Sequence, residues 1–284
     1  MSTLIDLHTH SNESDGTDTP AQLAVKAGAA GITTLALTDH DSIAGWSELV
    51  ENKPKGLSLV LGAEISCQTE EALSVHMLGY LFDPNNHELI SSMNQTRVNR
   101  ITRMEKIVEK LQAGGVEITL SEVYAELSEG ATLGRPHLAD AMVRKGIVKD
   151  RSEAFNIYLH NRSKYYLPDA SPTPERAIKL IKAAGGVAII AHPFASLRGK
   201  IISAQYLETL VGAGLDGIEI FHRDHNQSER DQLLELSRRY QLIVSGGSDY
   251  HGSGKENRLG ENSTQKSQWE RISEVATGFS VVQG

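Results

Sequence analysis

The stretch TPERAIKLIKAAGGVAIIAHP, Thr173 to Pro193, carries one full unit of the chain's architecture. Thr173 is a good helix N-cap, Pro174 suits the first turn behind it, and Gly185 and Gly186 suit the helix end. The run Val187–Ala191 that follows is the most apolar strand in the chain, and Pro193 stops it just past His192. The same order recurs upstream. TPAQLAVKAGAAG, with Thr19, Pro20, Gly28 and Gly31 in the corresponding roles, precedes a strand at Thr34–Thr38. Further apolar, β-branched runs stand at Leu4–Leu7, Leu57–Ser66, Val75–Phe82, Gly217–Phe221 and Leu242–Ser245. Strands alternating with helices predict an α/β protein with a parallel sheet and βαβ crossovers. About seven strands predict a barrel related to, and smaller than, the (β/α)₈ form.

The alternation breaks between Asn94 and Pro168, where helix follows helix. In TRVNRITRMEKIVEKL, residues Val98, Ile101, Met104, Val108 and Leu111 keep helical spacing. GGVEI then turns, SEVYAELSEG starts a second helix behind Ser121, and RPHLADAMVRKG a third. The reading is a helical insertion over 94–168 that caps a barrel built from 1–93 and 169–284. The linker CQTEEAL predicts an antiparallel hairpin between the third and fourth strands. A turn near Glu70 and Glu71 places His76 roughly opposite Glu64, and a one-residue slip would put them on opposite faces. The last ~25 residues are polar and poorly patterned.

Composition narrows the class. A chain of 284 residues with 39% hydrophobic and 23% charged residues suits a folded domain with a sizeable core. Cys67 is the only cysteine, so no intrachain disulfide forms, which fits a reducing, cytoplasmic compartment. No apolar run approaches the ~20 residues of a membrane span, and the first residues lack the pattern of a signal peptide. The net charge of −8 argues against gripping long duplex nucleic acid. Small phosphorylated substrates remain open where bound cations overturn that charge locally. Oligomeric state is not readable.

Six clusters could carry chemistry. His8 and His10 share a face if the first strand continues through them, and Asp15 follows in a Ser/Gly/Asp-rich loop. Asp39, His40 and Asp41 end the second strand, a His flanked by carboxylates that could orient it. Glu64 lies in the apolar run LGAEIS and His76 in SVHMLGYL. His192 ends the fifth strand, and Asp249 and His251 end the last, their D-x-H echoing the opening H-x-H. Each alone reads better as an ordinary polar residue. Jointly, five clusters sit at C-terminal strand ends and the hairpin supplies the sixth, so a barrel gathers all nine side chains at one mouth. Asp15, Glu64 and Asp249 would repel one another there without cations. Imidazole and carboxylate donors suit Zn²⁺, Mn²⁺ or Fe²⁺ rather than Ca²⁺.

The order HTH, D-G, TDHD, G-x-EIS, HMLGY, AHP and GSDYH, running from Ile5 to His251, resembles the PHP family, named for its polymerase and histidinol-phosphatase members. The resemblance implies a distorted (β/α)₇ barrel holding two or three divalent ions, Mn²⁺ first, with Fe²⁺, Zn²⁺ or Mg²⁺ as alternatives. It implies one ion on His8, His10, Glu64 and Asp249, a second on Glu64, His76 and His192, and a third on Asp15, His40 and His251. The insertion, with GRPH at 134–137 and YLHNRSKYYLP at 158–168, is similar to the TrpH-like subgroup. Members of that subgroup remove phosphate from 3′,5′-nucleoside bisphosphates or trim 5′ nucleotides from short RNAs. A small phosphorylated nucleotide or short oligonucleotide is the implied substrate.

Metal-assisted phosphoester hydrolysis needs a proton for the leaving alkoxide. His222, in EIFHRDHN, and His137, on the insertion, are the candidates. Arg135 and His137 sit at a predicted helix start, and Arg162 and Lys164 in a tyrosine-rich turn. The resemblance implies that these meet a substrate phosphate; a solvated charged loop is the alternative. Arg97, Arg100 and Arg103 form a weaker basic stripe, and His87, His160 and His225 read as surface residues. Rival functions are a histidinol-phosphate phosphatase, which the long insertion argues against, and an amidohydrolase, whose late motif is a lone Asp. A non-catalytic metal-binding module of the family is the third rival, against which no expected ligand position is empty.

Overall fold

The computed structural model describes residues 3–128, 131–168, 170–196 and 201–284. Among them, seven strands form one sheet in chain order. They are β1 (Ile5–Asp6), β2 (Thr34–Leu37), β3 (Ser58–Gln68), β4 (Ser74–Tyr80), β5 (Val187–Ile190), β6 (Gly217–Phe221) and β7 (Ile243–Gly246). β4 runs antiparallel to both neighbours and the other pairs are parallel. Beyond the strand ends the sheet curls until Thr9 bridges Tyr250. There His10 N–H donates to Tyr250 O at 2.9 Å and Asp249 N–H to His8 O at 2.8 Å. The result is a nearly closed (β/α)₇-type barrel.

Helices α1 (Pro20–Ala29) and α7 (Pro174–Ala183) start where the caps require. The Thr19 hydroxyl accepts the Gln22 N–H while Gln22 returns to the Thr19 N–H, and Thr173 accepts the Arg176 N–H. Gly31 and Gly185 leave these helices at φ of +76° and +72°, the left-handed region that favours glycine. α7 buries Ala177, Ile178, Leu180 and Ile181 against β5, which is buried throughout. Each such Leu or Ile contributes roughly 1.5–3 kcal/mol of burial.

The two-residue period divides the strands. Ile218 and Ile220 of β6 pack outward with Leu207 and Leu210 of α8 (Ala204–Gly212) and Leu233 of α9 (Gln227–Arg239). A second cluster, Ile5, Leu7, Val60, Leu78, Tyr80, Ile189 and Ile243, draws together side chains of β1, β3, β4, β5 and β7. Within it the Tyr80 hydroxyl donates to Leu7 O at 2.7 Å. On β3 the buried positions Val60, Gly62 and Glu64 share this face, so the carboxylate continues a row that is apolar further back.

The expected hairpin is present with a different register. Ser66, not Glu64, pairs with His76, and Glu64 pairs with Leu78. The turn is longer than a tight connection at Glu70 and Glu71. Thr69 N–H donates to Leu73 O at 2.9 Å and Leu73 N–H to Thr69 Oγ1 at 3.1 Å. A two-residue shift preserves face, so His76 and Glu64 still meet on the diagonal.

The insertion follows β4 as α3 (His87–Ala113), α4 (Leu120–Tyr124), α5 (Arg135–Arg144), α6 (Arg151–Ala154) and a π-helical turn at Phe155–Leu159. Its own apolar cluster includes Met104, Val108, Leu111, Val123, Leu138, Met142 and Leu159. The expected junction at 94 falls inside α3, whose Leu89 and Met93 pack with the barrel cluster. Residue 169, where the barrel was expected to resume, lies outside the described residues. Val98 and Ile101 keep helical spacing yet are 56% and 39% exposed, because the cap core begins only at Met104. Thr119 rather than Ser121 caps α4, in a box with Glu122. The C-terminal segment is more ordered than its polarity suggests. It forms α10 (Lys266–Val275), buries Ile272, and bridges Val282 to Leu59.

Candidate metal centre

The nine side chains singled out above converge on the C-terminal mouth of the barrel, and Glu64 is their hub. Its Oε2 lies 3.2 Å from His8 Nε2, 3.1 Å from His10 Nε2 and 3.4 Å from His40 Nδ1. Its Oε1 lies 2.7 Å from His76 Nδ1 and 3.1 Å from His192 Nε2. Asp249 Oδ1 stands 3.5 Å from His8 Nε2 and 3.4 Å from His10 Nε2. Asp15 reaches His251 Nε2 at 3.1 Å and His40 Nε2 at 3.8 Å. Three compact donor groups result: His8, His10, Glu64 and Asp249; His40, Glu64 and His76; and His10, Asp15, His40 and His251. His192 touches the hub from the side of His76, their rings 5.5 Å apart.

Backbone conformation aims these groups. Asp41, His192 and Asp249 hold φ of 50°, 30° and 52°, in the left-handed region where a side chain is costly. His192 and Asp249 follow strand ends at the mouth, where such strain turns a side chain across the opening, while Asp41 turns to Ser66 and Arg100.

The donors fit divalent ions. His8 Nε2 and His10 Nε2 lie 3.1 Å apart, two ring nitrogens that face each other across a gap a cation would share. Asp15 Oδ1, His40 Nδ1 and His251 Nε2 are buried without a hydrogen-bond partner among the described residues, although all three face other donors of the cluster. Mixed imidazole and carboxylate donors suit first-row divalent metals. Electrostatics point the same way. Burial favours the neutral acid at Glu64, yet His40, His76, His8 and His10 hold its carboxyl well below the usual range. Asp15 is likewise buried and held low by His251 and His40. Burial pushes His40 well down and, with Lys255 and His10 nearby, takes His251 to about 4, leaving both as neutral donors.

Several buried carboxylates escaped the sequence reading. Glu219 of β6 is fully buried and places Oε1 2.8 Å from His8 Nδ1 while Oε2 accepts the His192 N–H at 3.0 Å. Asp6 accepts the N–H groups of Ser248 and Gly260, both at 2.9 Å, locking β1 to the Asp249 loop. Lys255 Nζ lies 2.9 Å from Asp249 Oδ2. The signal for Glu219 was there: an acidic residue between Ile218 and Ile220 must occupy the opposite face of an otherwise apolar strand. Asp39 and Asp41 do not flank the His40 ring as expected. Asp39 accepts from Ser11 N–H and from the Ser11 and Ser14 hydroxyls, at 2.8, 2.6 and 2.6 Å. Asp41 accepts from Ser66 N–H at 2.9 Å and pairs with Arg100 at 3.2 Å. Adjacent residues on a strand end point apart, so each carboxylate pins a neighbouring segment instead.

His222 is buried beside the cluster, its Nε2 3.4 Å from Asp249 Oδ2. Its Nδ1 accepts the Asp224 N–H at 3.0 Å, which assigns the ring proton of the neutral form to Nε2. His225 is a correction: it is buried, not on the surface, and ties Phe194 N–H at 3.2 Å to Ile220 O at 2.9 Å. In the cap, His137 is buried at the start of α5 with Nδ1 accepting the Gly134 N–H at 3.1 Å, and burial lowers its pKa. Arg135 donates to Leu159 O at 2.7 Å and Asn161 Oδ1 at 2.8 Å, and lies over the Phe155 and Tyr166 rings. Arg162 and Lys164 are exposed, Lys164 above the Tyr165 ring. Arg100 reaches from α3 to the Ser66 hydroxyl and to Leu133 O, so one member of the basic stripe joins cap to barrel. Arg103 instead donates to Leu167 O at 2.8 Å within the cap.

Known proteins resemble this chain along most of its length. The PHP domain family profile matches residues 6–138. A 5′-3′ exoribonuclease of Haemophilus influenzae is 33% identical over 88% of this chain and 91% of its own. A 3′,5′-nucleoside bisphosphate phosphatase of Chromobacterium violaceum is 30% identical over 89% of each. A crystal structure assigned as a metal-dependent phosphoesterase of Bifidobacterium adolescentis superposes with a TM-score of 0.92 at 40% identity, covering 98% of both chains.

Proposed function

The chain belongs to the PHP family of metal-dependent phosphoesterases, and on that footing we propose that it hydrolyses phosphate esters of nucleotides, either a 3′,5′-nucleoside bisphosphate or the 5′ end of a short phosphorylated RNA. The observation that carries the reading is Glu64, whose two oxygens lie within 3.4 Å of five imidazoles from four segments of the barrel, among the described residues. A centre this dense in nitrogen donors and carboxylates is of little use to a fold except to hold cations. The relatives' similarity runs over nearly the whole chain, cap included, which favours their substrates over those of a histidinol-phosphate phosphatase.

We assign His8, His10, Glu64 and Asp249 to one ion, Glu64, His76 and His192 to a second, and Asp15, His40 and His251 to a third, with Mn²⁺ the first choice of metal. Bound ions supply Lewis acidity, which activates water at neutral pH and offsets charge gathering on the phosphoryl oxygens. The chain's own part is to aim and to exclude. Glu64 holds five donors at one point, so two ligand sets share one carboxylate. The cap covers the opening: Thr132 N–H donates to Glu13 O at 3.0 Å, and Arg151 donates to Gly254 O at 3.2 Å. His137 and His222 are our candidates for moving a proton to the leaving oxygen. Each has Nδ1 engaged by a backbone N–H, so each presents a protonated Nε2 when neutral. Arg135, His137, Arg162 and Lys164 are proposed to meet the substrate phosphate. Arg135 would do so while also bracing the turn at Leu159, and Arg162 and Lys164 are exposed. Among the described residues no helix is long and apolar enough to cross a membrane. The net charge of −8 favours a small phosphorylated substrate.

Product analysis tests the reading. The Mn²⁺-loaded protein is incubated with 3′-phosphoadenosine 5′-phosphate and, separately, with a short 5′-phosphorylated RNA. Free phosphate from the first identifies a bisphosphate phosphatase, and mononucleotides from the second identify a 5′-end nuclease. No product from either would overturn the nucleotide reading.

A further inference from the structure

We infer that Glu219 is a positioning residue that sets two metal-binding histidines at once, His8 through its ring and His192 through its backbone. The inference rests on the proposed ligand assignment and goes beyond it, because Glu219 touches neither the mouth nor any reacting atom. It sits mid-strand on β6, fully buried, with Ile218 and Ile220 on the opposite face. A buried carboxylate is expensive unless it is paired and hydrogen-bonded. Glu219 answers with one contact per oxygen. Oε1 lies 2.8 Å from His8 Nδ1 and Oε2 accepts the His192 N–H at 3.0 Å.

The two contacts do different work. A carboxylate on Nδ1 puts the ring proton there, which leaves the Nε2 lone pair free. That Nε2 is the atom facing Glu64 at 3.2 Å and Asp249 at 3.5 Å. Such a carboxylate–imidazole pair fixes tautomer and ring angle and raises the basicity of the donor nitrogen. The second contact secures a strained residue. His192 has φ of 30°, where a non-glycine residue persists only if its surroundings hold it. Its captured N–H fixes the peptide plane from which the ring projects, bringing Nε2 to 3.1 Å from Glu64 Oε1. The rings of His8 and His192 then stack with centroids 5.8 Å apart and 17° between planes. One side chain on β6 thus couples β1 and the end of β5 across the barrel.

The test uses metal affinity. The full chain is stripped with a chelator, desalted and titrated with Mn²⁺, and free ion is read by electron paramagnetic resonance. Glu219→Gln keeps one acceptor oxygen for two donors, and Glu219→Met keeps none at similar volume. The expected order of affinity is wild type, then Gln, then Met, with losses of about 10–100-fold. The loss should fall on the ions assigned to His8 and His192. Binding to the Asp15, His40 and His251 group should be nearly unchanged. Far-UV circular dichroism identifies folded protein, and either folded variant suffices. A wild type that takes up no Mn²⁺ would overturn the ligand assignment and this inference with it. Wild-type uptake matched by both variants, or losses spread evenly over every class of site, would overturn the role of Glu219 alone.

Discussion

His76 Nδ1 lies 2.7 Å from Glu64 Oε1, although the residue paired with Glu64 across the hairpin is Leu78. The contact is diagonal, and it depends on the five-residue turn at 69–73 that keeps both side chains on one face. His76→Ala leaves the ladder intact, since Ser66 and His76 pair through backbone. Thermal stability should hold while turnover falls by more than the roughly 10–100-fold typical of losing a ligand's supporting partner. Steady-state assay beside a melting curve checks this, and unchanged turnover would remove His76 from the centre.

Asp249 faces His8, His10 and Lys255 within 3.5 Å. Asp249→Asn keeps its shape and removes its charge. Turnover should drop strongly while circular dichroism stays that of the folded chain. Near-normal activity would take Asp249 out of the metal site.

In the metal-free protein the joint contribution of His251, His40 and His10 to stability should be greatest near pH 6.5. Burial takes His251 to about 4 and His40 well below its ordinary 6.5, so on the acid side the unfolded chain binds more protons and stability rises with pH. Burial also opposes the charge on His10, but Asp249 and Glu64 outweigh it and raise that pKa to about 9. Between 6.5 and about 9 the folded chain therefore holds the extra proton, and stability falls as pH rises. Melting curves in chelator across that range check the sign on each side. A melting temperature that climbs steadily from neutral to alkaline pH would contradict it.

Arg135 braces the cap while sitting at the start of α5. Arg135→Ala should raise KM more than it lowers kcat, if its guanidinium meets substrate phosphate. It should also cost about 1 kcal/mol of stability through the loss of the bond to Leu159 O. An unchanged KM with only the stability loss would mean that Arg135 serves the cap alone.

Much of this was legible in residue order. Thr173, Pro174 and Gly185 bound one helix, and the apolar run behind them is β5 almost to the residue. The nine mouth residues were findable because a barrel brings every parallel strand's C-terminal end to one side, whatever the loops do. What failed were pairings rather than types. Spacing placed His76 roughly opposite Glu64 and left a one-residue slip open, but it did not show that the turn takes two more residues. It showed Asp39 and Asp41 beside His40 but not that Ser11 and Ser66 would claim them. Glu219 was not singled out, because sequence does not say which face of a barrel strand is the interior. The helical period at Val98 and Ile101 was real, yet burial depends on what packs opposite, and there the cap core has not begun.

The central claim is that hydrolysis runs through metal held at Glu64. The most direct measurement is turnover of the bisphosphate and the short RNA by chelator-stripped protein, before and after Mn²⁺ is restored, with Glu64→Gln alongside. The account predicts no turnover when stripped, recovery with Mn²⁺, and none in the variant under either condition. Turnover that survives both chelation and Glu64→Gln would contradict it.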